Sequence, residues 1–367
     1  MGTYGASAPG SHTINYDALL STTLMNLKPV MFDNIFKSSA YLAAMREYGG
    51  VEKLNGGVAI ERVLMYEENE TFASYEGYDI IDTTPQDGIT RATYRWAEIG
   101  GSITISRREE RQNSGEAAML NLFKQKTEQA EMSAKSILNK QSLQGTVSST
   151  TFVPGNDAKD VLPLGYFLRK DPATDPTAGG NVGNLSGSTY DWWRHRSANL
   201  GGSAASDDTF GLTVSTYAGL RVGLYRLYNH CSRGADGSGP NICLADQTTF
   251  ETYENSLDQL KRYGMDDKLA SMGFDTVKLK GATMIWDELV PDLESGTTAL
   301  TYGTAFMLNT RFFKLFIDEE TDFETTPFIQ NQNQTAKVAK VLFMGNQACS
   351  NLRKLGAARK ISLSIAS

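Results

Sequence analysis

The feature that most constrains the fold is a long polar excursion between two strand-like segments. On both sides of it, apolar residues alternate with polar ones in the manner of β-strands: Val58, Ile60, Leu64 and Tyr66 before it, and Ala92, Tyr94, Trp96, Ile103 and Ile105 after it. The intervening residues 67–90 are polar and contain Pro85 and Asp87-Gly88. Ordinary hairpin loops have about 2–5 residues. A hairpin with so long a tip is not expected to fold back on its own domain, and it therefore predicts a contact with another molecule.

The hairpin is followed by the pattern of a long helix. Asn113 and Glu116 form a capping-box pattern, and a thin apolar stripe at helical spacing continues to about Gln144, closed by Gly145. At about 1.5 Å per residue this helix would span more than ~40 Å. The length favours a strut lying across a sheet, and the same stripe also fits an ordinary core helix.

Shorter elements are predicted on either side. Residues 1–28 form a polar arm, and a helix over 31–48 would carry Phe32 and Phe36 on its apolar face, Asp33 as its cap, and Gly49-Gly50 as its end. Residues 146–215 predict extended loops around apolar anchors at 162–168 and 191–194. After Ser215 the spacing predicts two amphipathic helices, the second capped by Asp246. Strands are predicted at 241–245, 276–279, 283–286, 305–308, 312–317 and 336–344.

Composition excludes several classes of function. The formal net charge is −7, whereas proteins that grip nucleic acid through its phosphates present a basic face. An acidic chain could still enclose DNA without holding it. The sequence shows neither an apolar run of the ~18 residues that a membrane span requires nor a secretion signal, so we expect a soluble protein with no membrane partner. Cys231, Cys243 and Cys349 are too scattered for a disulfide framework and predict buried free thiols.

The search for chemistry finds no assembled active site. His12, His195 and His230 form no metal-binding spacing and are interpreted as surface or capping histidines. No nucleophile elbow or phosphate-binding loop is present. The carboxylate clusters at 318–320 and 109–110 are interpreted as members of solvated or interface ion pairs, since charge runs seldom mark catalysis. We therefore expect no catalytic, cofactor-binding or metal-binding residues, and no enzyme.

The order of parts resembles the major capsid protein of tailed bacteriophages, an α+β fold first described in phage HK97. The resemblance covers nearly the whole chain and is weakest over 146–215. It is carried by three stretches: KPVMFDNIFKSSAYLAAMREYGGVEKLNGG (28–57), EENETFASYEGYDIIDTTPQDGITRATYRWAEIGGSITISRREERQNSGE (67–116) and LFMGNQACSNLRKLGAARK (342–360).

The resemblance implies a division of the chain into the parts of that fold. In order they are an N-arm (1–28), the first segment of the P domain (29–56), the E-loop hairpin (57–106), the spine helix of the P domain (107–145), a mixed α/β A domain (146–305), the P-domain strands (306–345) and a C-terminal return segment (346–367). The E-loop would lie over a neighbouring subunit. Its predicted interface residues, with the charged run that follows it, are Phe72, Tyr75, Tyr78, Tyr94, Trp96, Arg107, Arg108, Glu109 and Glu110.

The implied function is that of a structural subunit, without catalysis, of the icosahedral head that encloses packaged double-stranded DNA. The chain would form pentamers and hexamers in the host bacterial cytoplasm and become part of the virion capsid. Because the predicted arm is short, a separate scaffolding protein is implied, together with a portal. The resemblance also allows a decoration protein. Two alternatives stay open: an encapsulin-like shell around enzymes, and a monomeric binding protein or hydrolase with an extended β-hairpin.

Overall fold

A computed structural model of the chain describes residues 39–112, 122–148, 151–155, 159–172, 181–204, 208–234, 237–257, 275–294, 301–327, 329–330 and 336–362. The helices are α1 (Ala40–Glu47), α2 (Arg107–Gln112), α3 (Leu122–Leu143), α4 (Leu164–Phe167), α5 (Tyr217–Ser232) and α6 (Gln247–Leu257). The first strands are β1 (Val51–Leu54), β2 (Ile60–Met65), β3 (Ile89–Tyr94), β4 (Ala97–Ser106), β5 (Thr146–Ser148), β6 (Thr151–Val153), β7 (Arg196–Asn199), β8 (Gly201–Gly202) and β9 (Phe210–Thr213). The later strands are β10 (Ile242–Ala245), β11 (Val277–Leu279), β12 (Ala282–Trp286), β13 (Gly303–Leu308), β14 (Phe313–Asp318), β15 (Glu324–Thr325), β16 (Ile329–Gln330), β17 (Ala336–Cys349) and β18 (Gly356–Ile361).

Sheet 1 is organised around the long strand β17. One edge of β17 pairs antiparallel with the whole of β4 over residues 336–345, and the other pairs with β14, β15 and β16 at successive positions. Strand β1 adds to β14 in parallel and closes the sheet. Helix α3 lies over β4 and β17, and its own residues Ala134 and Leu138 are buried. The prediction of a strut across a sheet is therefore confirmed for 122–143, while its predicted cap, Asn113 with Glu116, lies outside the described residues.

Sheet 2 has the strand order β11-β12-β10-β13-β18-β7-β9-β8. Both of its faces are covered. Successive side chains of a strand point to opposite faces, and the two sets lie in different cores. In β10, Ile242 and Leu244 belong to a core shared with sheet 1, whereas Cys243 and Ala245 belong to a second core beneath α5 and α6. The two sheets are therefore joined through one common apolar core.

Two strands that the sequence assigned elsewhere belong to sheet 2. Strand β13 overlaps the start of the predicted P-domain strands (306–345), but it pairs with β10 and β18 rather than with sheet 1. Strand β18, in the predicted return segment (346–367), lies between β13 and β7. Strand pairing depends on contacts between distant residues, which periodicity along the chain does not report.

Local signals predicted several helix boundaries correctly. Helix α5 begins after Ser215 as expected, although its cap was not predicted: the hydroxyl of Thr216 accepts from the backbone N–H of Gly219 at 3.2 Å. The predicted cap Asp246 accepts from the backbone N–H of Thr249 at 3.0 Å. Helix α1 ends before Gly49, whose φ is +66°. Its start differs from the prediction, because Ser39 has the non-helical angles φ −88° and ψ 83°. The predicted first part of that helix, with Phe32, Asp33 and Phe36, lies outside the described residues.

The segment 146–215 is more ordered than predicted. Its apolar anchors are buried as expected, including Leu164, Phe167 and Trp193. Short strands β5 to β9 and helix α4 were missed, since their Gly, Ser and Thr content is typical of loops. His195 was also misplaced by the sequence: it is buried, not at the surface.

Candidate assembly interface

The base of the hairpin rests on the body of its own chain. Strands β2 and β3 pair antiparallel from Ile60↔Tyr94 to Met65↔Ile89. On the inward face Ile60, Leu64 and Tyr94 are all buried, as the alternation predicted. Val58, which has the same parity, is fully exposed. The paired hairpin ends at Tyr94, since β4 leaves it to join β17, so its paired part is shorter than the predicted range 57–106.

Polar contacts fix this base in place. The backbone N–H of Thr93 donates to the carbonyl of Gly183 at 3.0 Å. Tyr66 stacks on Trp192 with ring centroids 5.2 Å apart, and the guanidinium of Arg62 lies 5.1 Å above the ring of Phe316. The base therefore has one defined orientation relative to sheet 1.

The outward face of the base is apolar and uncovered. Val63, Met65 and Ile89 are 75%, 82% and 63% exposed, and Met65 lies opposite Ile89 in the register. An ion pair between Glu61 and Arg91, 3.2 Å long, borders them, and exposed pairs of this kind contribute little. The sequence analysis missed these three residues, although their shared parity, opposite to that of Ile60 and Leu64, could have identified them.

Beyond the base, the tip (67–88) extends into solvent. Phe72, Tyr75 and Tyr78 are 87%, 68% and 103% exposed, and Ile80 and Ile81 are also exposed. The described hydrogen bonds within the tip are local, such as Thr84 to Asp82 at 2.9 Å and Glu76 to Asp79 at 2.9 Å. The bond from Thr84 lowers the pKa of Asp82. The tip is therefore shaped by its own turns and not by packing on the body.

The tip also concentrates the charge of the chain. It carries four glutamates and three aspartates with no lysine or arginine, which equals the formal net charge of −7 of the whole chain. Exposed apolar side chains among like charges are unfavourable in an isolated subunit, and exposed apolar patches commonly mark interaction sites. The tip therefore has the chemistry of a surface that binds a basic and apolar partner.

Tyr94, a predicted interface residue, lies inside its own chain. It is 2% exposed, and its hydroxyl donates to the carbonyl of Cys349 at 2.8 Å; burial also raises its pKa. No surface of the ring is left for a neighbour, so Tyr94 holds the hairpin to its own chain. Trp96 is half-buried and donates from Nε1 to the carbonyl of Gly57 at 2.9 Å.

The charged run after the hairpin forms part of α2. Arg107 and Arg108 are exposed, and Glu109 accepts from the backbone of Ser106 at 3.1 Å and from Lys126 at 3.2 Å. Burial raises the pKa of Glu109, but these hydrogen bonds outweigh it and the net shift is downward. The run therefore ties α2 to α3, while the side chain of Glu110 lies outside the described residues.

Buried titratable groups in the described residues have structural surroundings. Burial, followed by the charge of Arg169, lowers the pKa of His195 to about 3; its Nε2 lies 3.0 Å from the carbonyl of Arg169 and must carry the proton, because a carbonyl only accepts. Cys231, Cys243 and Cys349 are buried free thiols, as predicted. Within the described ranges, no group of three or more His, Cys, Asp or Glu could hold a metal ion. No helix among them is long and apolar enough to cross a membrane.

Comparison with known proteins identifies the fold. No family model and no curated protein sequence matches the chain. Among solved structures it is similar to the capsid of cyanophage A-1(L), with a TM-score of 0.60 and 13% identity over 92% of this chain and 96% of that one. It is also similar to the capsid of Myoviridae phage XM1 (TM-score 0.53, 13% identity, 91% and 96%). A third similar structure is the holo-SrpI encapsulin complex of Synechococcus elongatus PCC 7942 (TM-score 0.54, 8% identity, 95% and 96%).

These structures define the class: the chain has the HK97-type capsid fold, which phage capsids share with an encapsulin. The predicted α+β fold class is confirmed. At these identities the likeness establishes the fold, and the function rests on the surface just described.

Proposed function

We propose that this chain is a structural, non-catalytic subunit of the icosahedral head of a tailed phage, where it encloses packaged double-stranded DNA. The observation that carries the proposal is the tip (67–88), an acidic and apolar surface held clear of the body of a chain with the HK97-type fold. A monomeric protein gains nothing from exposing Phe72, Tyr78 and Ile80 in this way, whereas a shell subunit covers them with its neighbour.

The division of labour follows from the two sheets. Sheet 1 with α3 would act as the P domain, sheet 2 with α5 and α6 as the A domain, and the hairpin as the E-loop. The outward face of the hairpin base (Val63, Met65 and Ile89) would add to the contact with the neighbour. Pentamers and hexamers of the chain, a scaffolding protein and a portal are the partners in this proposal, which also allows a decoration protein. Assembly takes place in the host bacterial cytoplasm.

Substitutions in the tip test the proposal. The variant Phe72→Ser/Tyr78→Ser/Ile80→Ser should fold but fail to form shells, as should deletion of Asn69–Gln86, because both remove the apolar contact with the neighbour. A matched control in the same segment, Ser74→Ala/Thr83→Ala, should assemble like the parent chain. Negative-stain microscopy of the purified particles, with circular dichroism of each variant, provides the measurement.

Shell formation by the tip variants at the level of the parent chain would reject the proposal. So would a parent chain that stays monomeric at high concentration and responds to a small ligand. The contents of the shells decide between the two relatives of this fold. Nucleic acid within particles from infected cells supports a phage head, whereas an enclosed enzyme and an adjacent cargo gene would show an encapsulin-like shell.

A further inference from the structure

A groove of about 500 Å³ lies between α1, β1, β14 and α3. Its floor is apolar and includes Leu42, Leu138, Leu315 and Ile317. Three cations, Arg46, Lys53 and Lys135, stand on its rim and are exposed. Lys53 pairs with Asp322 at 2.8 Å, while among the described ion pairs none involves Arg46 or Lys135. The groove thus fits an apolar occupant that also carries a negative charge.

The groove lies on the face of sheet 1 opposite the hairpin. Leu315 and Ile317 of β14 point into it together with their register partners Val51 and Lys53 of β1. Phe316, which has the other parity, lies beneath Arg62 of the hairpin base. A neighbour's hairpin that stays on the face from which it emerges cannot reach this groove, so the groove needs a different occupant.

The segment 29–38 of the same chain has the required chemistry. It reads PVMFDNIFKS, with Phe32 and Phe36 among its large apolar side chains, Asp33 as its one carboxylate and Lys37 as its one cation. It joins the described structure at Ser39, which itself lines the groove. Ten extended residues reach at most about 33–36 Å, enough to return along the groove.

The backbone at this junction is compatible with a return. Ser39 has φ −88° and ψ 83°, and its side chain makes no cap hydrogen bond to α1. These angles lie outside the helical region, as is usual at the residue before a helix, so the axis of α1 does not set the direction of the preceding chain. We propose that residues 29–38 turn back at Ser39 and bind in the groove of their own chain, with Phe32 and Phe36 on its floor and Asp33 towards Arg46 and Lys135.

Photo-crosslinking tests the position and the ownership of the segment. A benzophenone amino acid replaces Phe36 in the full chain, and unlabelled and ¹⁵N-labelled subunits are mixed before irradiation. We expect crosslinked peptides that pair Phe36 with groove peptides from α1, α3 or β14, each carrying a single isotope. The same amino acid at Tyr16 is the control and should not label the groove. Mixed-isotope peptides would show that a second copy supplies the segment, and crosslinks elsewhere would show another occupant or none; either result overturns the proposal.

Proteolysis provides an independent measurement. Filling the groove by Ala43→Trp should expel the segment and accelerate tryptic cleavage after Lys37 at least ten-fold. The matched control, Ala218→Trp, places the same side chain at an exposed position of α5 and should leave the rate unchanged. If Ala43→Trp does not fold, Phe36→Ser removes the anchor from the other side and should give the same acceleration. Unchanged cleavage in a folded variant contradicts the proposal.

Discussion

Substitution of Arg359 by methionine should destabilise the chain through the loss of a buried ion pair. The side chain of Arg359 is 3% exposed and binds Asp208, which is 0% exposed, with Nη2 to Oδ2 at 2.7 Å and Nε to Oδ1 at 3.3 Å. It also pairs with Glu294, which is 8% exposed and keeps Lys170 at 2.9 Å as a second partner. The substitution preserves most of the apolar stem, but it removes the guanidinium that donates to both oxygens of the buried Asp208 carboxylate.

The magnitude follows from the burial. Breaking a buried ion pair by removing one partner costs about 3–5 kcal/mol. An unfolding entropy of roughly 2.1 cal/mol/K per residue corresponds to about 0.8 kcal/mol/K for the 367 residues of the chain. Arg359→Met should therefore lower the Tm by about 4–6 °C. Scanning calorimetry of the unassembled subunit at neutral pH measures this change.

A double variant separates the charge effect from a loss of packing. Asp208→Asn/Arg359→Met removes both charges of the pair, and the amide oxygen can still accept from Ser197, whose hydroxyl lies 2.7 Å from Oδ1. The double variant should recover most of the lost Tm. A decrease below about 1 °C in the single variant, or a double variant as unstable as the single one, would refute this reasoning.

Three further predictions concern chemistry and binding. Shells boiled in SDS should run as a single band near 40.2 kDa, because the hairpin has no lysine between Lys53 and Lys124 to form an isopeptide bond; a ladder that resists reductant would contradict this. Burial raises the pKa of Cys231, Cys243 and Cys349 to about 12, so at pH 8 they stay protonated and should react with a thiol reagent only after denaturant is added. Binding to DNA should be weak and independent of sequence at physiological salt, since the chain is acidic; nanomolar, selective gel shifts would show otherwise.

The sequence predicted features that depend on neighbouring residues. The cap Asp246 acts within one helical turn, and the inward parity of Ile60 and Leu64 depends on alternation alone. The excursion at 67–88 could be recognised because it is far longer than an ordinary hairpin loop. These signals located the tip, whereas the fold class followed from the resemblance of the order of parts to a known family.

What the sequence could not predict depends on distant contacts. Alternation shows that Tyr94 faces an apolar environment, but not whether that environment is its own core or a neighbour; the hydrogen bond to Cys349 decides this. The buried position of His195 likewise comes from the carbonyl of Arg169 on another segment. The groove beside α1 is formed by four separate elements, so no single motif in the sequence predicts its position.

The continuity between the two sheets has a mechanical consequence. Strand β17 is bonded along both edges in sheet 1, and only residues 350–355 separate it from β18, which lies in the middle of sheet 2. Six residues extend to about 20–22 Å at most, and here Leu352–Lys354 form a 3-10 turn, so the backbone holds the two sheets close together. Under internal pressure the two sheets of such a subunit would share the load, whereas the tip, within the described part of the chain, is shaped by local turns and would deform more easily.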